Sequence, residues 1–272
     1  MTTAAVSAAP RLEPLGSGTG PTIFQDIWDV TWRNLLSTLR QPQALVFSAI
    51  QPVLFVCLFR YAFGGAIHVP GVAYVNFLMP GIFAQSVAFG AIGTAVGLST
   101  DLRTGLLERF RTLPMSQFAI LAGRTTADLI RNLFVLAVMV GIGFAVGFRV
   151  QTNAAAFLAA LGLVVLFGYV FSWGFVALGL ATGNAEAAQA AGVPVMFLLV
   201  FASPAFIPVQ DMPGWLQSVA AHQPLAALVN ALRPLVLGGP TASHVLSSVA
   251  WSAGLLVVFA VLSMLQYRRL TR

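Results

Sequence analysis

Three charged residues, Arg124, Asp128 and Arg131, lie near the start of a long apolar run that otherwise carries no charge. Asp128 follows Arg124 by four residues and precedes Arg131 by three, so in a helix all three side chains share one face. Charges that enter an apolar segment usually pair with one another or face water. This spacing predicts a structural charge cluster, or alternatively a proton relay or substrate contact.

Residue types that support catalysis or metal binding are sparse. Cys57 is the single cysteine, and the three histidines, His68, His222 and His244, are too far apart for a metal-ligand motif. The apolar runs contain no carboxylate pair, histidine cluster or Ser/His constellation, and no G-x-x-x-x-G-K-[ST] loop occurs. We therefore predict no catalytic, metal or cofactor-binding site in this chain, and no ATP binding of the P-loop kind.

The composition places the chain in a membrane. It is 58% hydrophobic and 8% charged, with a mean hydropathy of +0.87, far from the soluble norm. The net charge of +6 comes with no lysine and with 14 arginines scattered at the ends of apolar runs. This pattern indicates that the arginines orient the chain in a bilayer rather than bind nucleic acid.

A polar segment, residues 98–124, separates two long apolar runs and must lie at one membrane face. Apolar residues at helical spacing predict a short helix over 102–113, capped by Ser99, Thr100 or Asp101 and ended by Pro114. Gly105 weakens such a helix, so a partner surface would stabilise it. We interpret the segment as a lever presented to a cytoplasmic protein, or otherwise as a solvated connector. The residues assigned to the lever are Arg103, Gly105, Glu108, Arg109, Arg111 and Pro114.

The apolar pattern divides the chain into a disordered cytoplasmic tail, 1–21, and a transmembrane domain, 22–272. An amphipathic helix within 22–40, rich in tryptophan, suits the membrane interface, or otherwise packs on another cytoplasmic element. Six spans are predicted, and in the second Gly93 and Gly97 would allow close helix packing. Their approximate ranges are 44–63, 73–98, 118–147, 154–181, 188–207 and 245–265. With both termini inside, most arginines fall in the cytoplasm.

Several short motifs in a fixed order resemble a known family. They are Gly105-Leu-Leu-Glu108, Thr112-Leu-Pro114, Gly123-Arg124, Pro213-x-Trp215-Leu216, Pro224-Leu225 and Leu232-Arg233. Together with the six-span layout, they resemble the permease subunits of type-2 ABC transporters, in particular daunorubicin-resistance-type drug export permeases of bacteria. The resemblance covers residues 24–269.

The resemblance implies an all-α integral membrane fold with six transmembrane helices. It further implies an interfacial N-terminal helix, a cytoplasmic coupling helix over 102–113 and short re-entrant outer helices over 213–237. The coupling helix would dock onto a separate ABC ATP-binding subunit, which holds the ATP and magnesium. The working unit would contain two such subunits and a second permease, identical or paralogous. The implied location is the bacterial plasma membrane, and the implied activity is outward movement of an amphipathic or hydrophobic cargo, drug-like or lipid-like.

Other functions remain open from the sequence. A proton-coupled secondary transporter needs protonatable groups near the membrane centre, and Asp128 is the one candidate. A permease for a polysaccharide or glycolipid shares the same layout. The sequence does not distinguish these cargoes, nor export from lipid flipping.

Overall fold

The computed structural model of the chain describes residues 23–40, 42–65, 67, 69, 71–105 and 117–270. Within these ranges the chain is mainly helical, without β-strands, which confirms the all-α part of the prediction. The helices, numbered in chain order, are α1 Ile23–Leu39, α2 Pro42–Cys57, α3 Tyr74–Arg103, α4 Gln117–Ala145, α5 Ala154–Thr182, α6 Ala185–Phe201, α7 Gly214–Ala221, α8 Pro224–Leu237 and α9 Ala242–Leu270. A π-helical turn, Leu58–Ala62, extends α2, and a 3-10 turn, Val209–Asp211, precedes α7. The predicted tail and most of the predicted lever lie outside the described residues.

Four helices, α3, α4, α5 and α9, are long and apolar enough to cross a membrane. The helices α2, α6 and α8 are apolar but shorter. The α3 helix is the centre of the bundle, since 72% of the residues in its 18-residue apolar stretch are buried. The corresponding share in α9 is 11%. It packs on α4, α5, α6 and α8, and a continuous apolar core joins these helices. A lipid-facing surface explains the apolar exposure of α9.

Local residue chemistry sets the turn between α5 and α6. Gly183 has a φ of +58°, in the left-handed region that favours glycine, and ends α5. The side chain of Asn184 then accepts a hydrogen bond from the Glu186 amide, and Asn153 accepts one from the Ala156 amide at the start of α5.

Helix boundaries around the polar segment differ from the prediction. Ser99, Thr100 and Asp101 do not cap a separate helix, because α3 continues through them to Arg103. The Ser99 hydroxyl instead donates to the Gly179 carbonyl of α5, 3.0 Å away. Gly105 lies beyond the helix with a φ of +68°, so it helps to end α3 rather than weakening a helix interior. The lever cannot begin at residue 102.

Two further details concern α6 and α1. Pro194 lies inside α6, which continues to Phe201, and Pro204 lies beyond the end of that helix. The α1 helix packs on α4 through Asp26, Val30 and Thr31, whereas Trp28 remains 60% exposed. The packed face of α1 agrees with the interpretation that this helix packs on another element. Its exposed aromatic face agrees with the interpretation that it lies at the membrane interface.

Arginines are unevenly distributed between the two ends of the bundle. One end joins α1, the end of α3, the start of α4 and the ends of α5 and α9, where Tyr267 is buried beside Leu98 and Trp173. The other end joins the start of α3 to the loops after α4 and α6, as shown by the bond from the Tyr74 hydroxyl to the Phe206 carbonyl. Described arginines at the first end are Arg33, Arg40, Arg103, Arg124, Arg268 and Arg269. Those at the second end are Arg60, Arg149 and Arg233.

Candidate functional site

A charged cluster joins the end of α3 to the first half of α4. Arg124 Nη1 lies 2.7 Å from Asp101 Oδ2, and its Nε lies 3.5 Å from Asp128 Oδ2. Arg131 Nη1 lies 3.0 Å from Asp128 Oδ1. All four side chains are between 6% and 21% exposed, so solvent screens these pairs less than surface ones. We call Asp101, Arg124, Asp128 and Arg131 the charged cluster.

Glycines on α3 make room for the arginines of α4. A methyl group added at Gly97 would overlap Nη2 of Arg124, and one added at Gly93 would lie 2.9 Å from Nη2 of Arg131. The Arg131 guanidinium also donates to the Gly90 carbonyl, 2.9 Å away. The Gly93 and Gly97 pair thus accommodates side chains of α4 rather than the backbone of a second helix. This use of the two glycines differs from the close helix packing that the sequence predicts.

The α1 helix covers the end of the charged cluster where Arg124 lies. The Thr31 hydroxyl lies 3.1 Å from the Gly123 carbonyl oxygen, and a methyl group on Gly123 would meet the Val30 side chain. These contacts bring Arg33 near Asp101. Burial lowers the pKa of the Arg33 guanidinium, and the Asp101 carboxylate opposes that shift.

A cavity of about 490 Å³ lies between α1, α2, α3 and α4, beside the charged cluster. Asp101, Arg124 and Arg131 line it toward one end of the bundle, where Ser37 and Thr100 are exposed. Its deeper part is lined by uncharged polar side chains, among them Gln51 and Ser86. A smaller cavity of about 260 Å³ shares several of these residues and extends to Arg33 and Asp128.

Two carboxamides in the large cavity are buried without full hydrogen bonding. Gln85 is 1% exposed and Asn132 is 5% exposed, and both line the cavity. Gln85 Oε1 and Asn132 Nδ2 have no hydrogen-bond partner among the described residues. Buried polar groups without a partner are uncommon in proteins, and each calls for water or a ligand.

A further, half-buried arginine lies at the opposite end of the bundle. The Arg233 guanidinium of α8 lies 3.5 Å from the centre of the Phe77 ring and donates to the Pro204 and Ala205 carbonyls. These contacts fasten α8 to α3 and to the loop after α6.

The structure places the predicted site residues in two groups. Arg124, Asp128 and Arg131 come together as the spacing predicts, while their role stays a prediction. Arg103 and Gly105 lie at the end of α3. The remaining residues assigned to the lever, Glu108, Arg109, Arg111 and Pro114, lie outside the described residues.

Sequence reasoning missed three members of the site. Asp101 joins the cluster because the end of α3 packs beside the start of α4. The sequence offered one clue, since Asp101 and Arg124 both belong to the polar segment 98–124. Gln85 and Asn132 were detectable as carboxamides inside apolar runs, which membrane helices tolerate only with partners.

Comparison with known proteins identifies the family. The ABC-2 type transporter family model matches residues 25–237. The chain is 34% identical to the daunorubicin resistance ABC transporter permease protein DrrB1 of Streptomyces coeruleorubidus, over 87% of this chain and 84% of the relative. It is 28% identical to the probable doxorubicin resistance ABC transporter permease protein DrrC of Mycobacterium tuberculosis, over 88% and 87%. It is 26% identical to the putative transport permease ycf38 of Porphyra purpurea, over 78% and 74%. The protein is therefore a multi-pass membrane permease that belongs to the ABC-2 type transporter family.

Proposed function

We propose that this permease moves an amphipathic or hydrophobic cargo outward across the bacterial plasma membrane, driven by a separate ATP-binding subunit. The observation that carries the proposal is the family match over residues 25–237, which includes α1 to α8. Two relatives are named as daunorubicin or doxorubicin resistance permeases, which supports a drug-like cargo. The working unit would contain two ATP-binding subunits, which hold ATP and magnesium, and a second permease, identical or paralogous.

The proposed topology has six spans and cytoplasmic termini, with residues 22–272 forming one transmembrane domain. The four long helices supply four spans, and α2 with its π-helical turn and α6 supply the other two. The excess of arginines where α1 and the ends of α3 and α9 meet supports a cytoplasmic assignment of that end. The α7 and α8 helices would then form the re-entrant outer segment.

The topology can be tested in a Cys57→Ser background. A membrane-impermeant maleimide applied to intact cells should label a cysteine at Asp211→Cys, in the exposed turn before α7, but not one at Asp29→Cys, in α1. Labelling of the Asp29→Cys protein from outside would reverse the orientation.

Coupling to the ATP-binding subunit is assigned to the end of α3 and the segment that follows it. The proposed contacts are Arg103, Gly105, Glu108, Arg109, Arg111 and Pro114. The charged cluster supports this assignment, because the Asp101–Arg124 pair clamps together the two helices that enter and leave the segment. A displacement of the segment would therefore move α3 and α4 together. The pairing of Asp128 with two guanidiniums favours a structural role over a proton relay.

Co-purification and ATPase measurements test the proposal. A tagged permease should retain a P-loop ATPase, and the complex in nanodiscs should hydrolyse ATP faster when daunorubicin is added. Charge reversal at Glu108→Arg or Arg111→Glu should lower this stimulated rate about fivefold, which corresponds to ~1 kcal/mol of lost coupling.

The matched control is Asp211→Arg, a charge reversal at an exposed residue of the proposed outer end, which should leave the rate unchanged. Indifference of the rate to both substitutions in the segment would contradict its coupling role. Absence of any ATPase from the purified permease would contradict the powered mechanism.

A further inference from the structure

We infer that the cavity between α1, α2, α3 and α4 is a binding site within one protomer for an uncharged, polyhydroxylated group, such as the sugar or polyol head of an amphipathic molecule. Gln85 Oε1 and Asn132 Nδ2, the two carboxamide atoms without a partner among the described residues, are the atoms that meet this head. The site goes beyond the proposed transport function, because it requires neither the ATP-binding subunit nor a second permease.

The two unsatisfied atoms define the ligand's hydrogen-bonding chemistry. Gln85 Oε1 is an acceptor that needs a donor, and Asn132 Nδ2 is a donor that needs an acceptor. A hydroxyl group both donates and accepts, so the hydroxyls of one ligand can satisfy either atom. The side chains of Gln51 and Ser86 line the same space and extend this uncharged polar surface onto α2 and α3.

The charges around the cavity favour a neutral ligand over an ion. Asp101 and Asp128 are each held by at least one guanidinium, and Arg124 and Arg131 are each held by at least one carboxylate. Arg33 borders only the smaller cavity. A charged head would therefore lose its hydration without meeting an unpaired counter-charge in the large cavity.

The size and walls of the cavity suit the head of an amphipathic molecule. Its volume of about 490 Å³ lies in the range typical of small-molecule pockets, which is roughly 300–1,000 Å³. Phe89 and Val135 add apolar surface next to the carboxamides. A separate apolar groove of about 330 Å³ lies on the same two helices, α2 and α4, and is lined by Ile50, Leu54 and Phe134 among others. It offers apolar surface to an alkyl chain.

Binding can be measured on the permease alone in nanodiscs, with radiolabelled octyl glucoside as the probe and empty nanodiscs subtracted. We expect saturable binding of octyl glucoside, and weaker binding of octyl sulfate and octyltrimethylammonium, which carry the same chain. Replacing Gln85→Leu or Asn132→Leu should weaken octyl glucoside binding about five- to tenfold, since each removes one hydrogen-bonding partner. Neither substitution breaks a hydrogen bond of Gln85 Oε1 or Asn132 Nδ2, because neither atom has a partner within the described structure.

Thr94→Val is the matched control. The Thr94 hydroxyl is also buried on α3 without a partner among the described residues, but it does not line the cavity, so octyl glucoside binding should not change.

A second measurement leaves the carboxamides intact. In a Cys57→Ser background, octyl glucoside should slow methyl methanethiosulfonate modification of a Ser86→Cys protein, and octyl sulfate should not. A lack of saturable octyl glucoside binding to the unaltered protein, as for a cavity holding water only, would overturn the inference. Octyl sulfate binding as tight as that of octyl glucoside would also overturn it. These outcomes do not depend on ATP hydrolysis, so they are separate from failure of the transport proposal.

Discussion

Replacement of Gly97 by alanine gives the sharpest test of how α3 and α4 fit together. In an ordinary helix interior, Gly→Ala stabilises by about 1 kcal/mol, because alanine has the higher helix propensity. At Gly97 the added methyl group would overlap Nη2 of Arg124, so the guanidinium must move. The same guanidinium holds Asp101 at 2.7 Å, in a pair of which the two side chains are 15% and 21% exposed. We therefore expect Gly97→Ala to destabilise the protein.

The magnitude follows from the pair that must be disturbed. A hydrogen bond between charged groups contributes ~1.5–3 kcal/mol. After subtracting ~1 kcal/mol for helix propensity, the free energy of unfolding should fall by ~0.5–2 kcal/mol. Reversible unfolding in mixed detergent micelles, followed by tryptophan fluorescence, measures this difference.

Gly141→Ala on α4 is the control for Gly97→Ala. A methyl group there meets nothing within 4 Å, so the substitution should be neutral or stabilise by up to ~1 kcal/mol. Equal stabilisation by the two substitutions would refute the claim that Gly97 exists to seat the Arg124 guanidinium.

Three other substitutions test separate contacts. Gly81→Ala should destabilise by ~1–3 kcal/mol, because its methyl group would overlap the Ala205 backbone carbonyl, which cannot rotate away as a side chain can; the same unfolding assay measures it. Thr31→Val should cost ~0.5–1.5 kcal/mol, because it removes a hydroxyl that lies 2.7 Å from the Ile27 carbonyl oxygen of α1 and 3.1 Å from the Gly123 carbonyl oxygen of α4, and faster hydrogen exchange in α1 would show local loosening. Arg233→Met should cost ~1.5–3 kcal/mol and speed hydrogen exchange in α8, since the loop carbonyls lose a charged donor while the stem volume is retained.

Each of these substitutions has a control or a contradicting outcome. Gly162→Ala, with open space around it, serves as the control for Gly81→Ala. If exchange in α1 were as slow in the Thr31→Val protein as in the parent, the contact with α4 would carry no stability. If Arg233→Lys matched the parent protein in stability, the planar guanidinium on Phe77 would not matter.

The sequence was sufficient for the membrane class and for the main apolar elements. Hydrophobicity and length are local properties, so the α3, α4, α5 and α9 helices follow from composition alone. The intrahelical pairs around Asp128 also follow, because spacing within one helix fixes which side chains meet. The family resemblance, read from short motifs in order, was confirmed by the comparisons.

Only the tertiary structure decided which faces meet between helices. The sequence suggested that Gly93 and Gly97 seat another helix, but the register of α3 against α4 places guanidiniums there. The same register joins Asp101 to Arg124 across 23 residues and leaves Gln85 and Asn132 facing a common cavity. No local pattern encodes these contacts, because they depend on the rotation and depth at which separate helices pack.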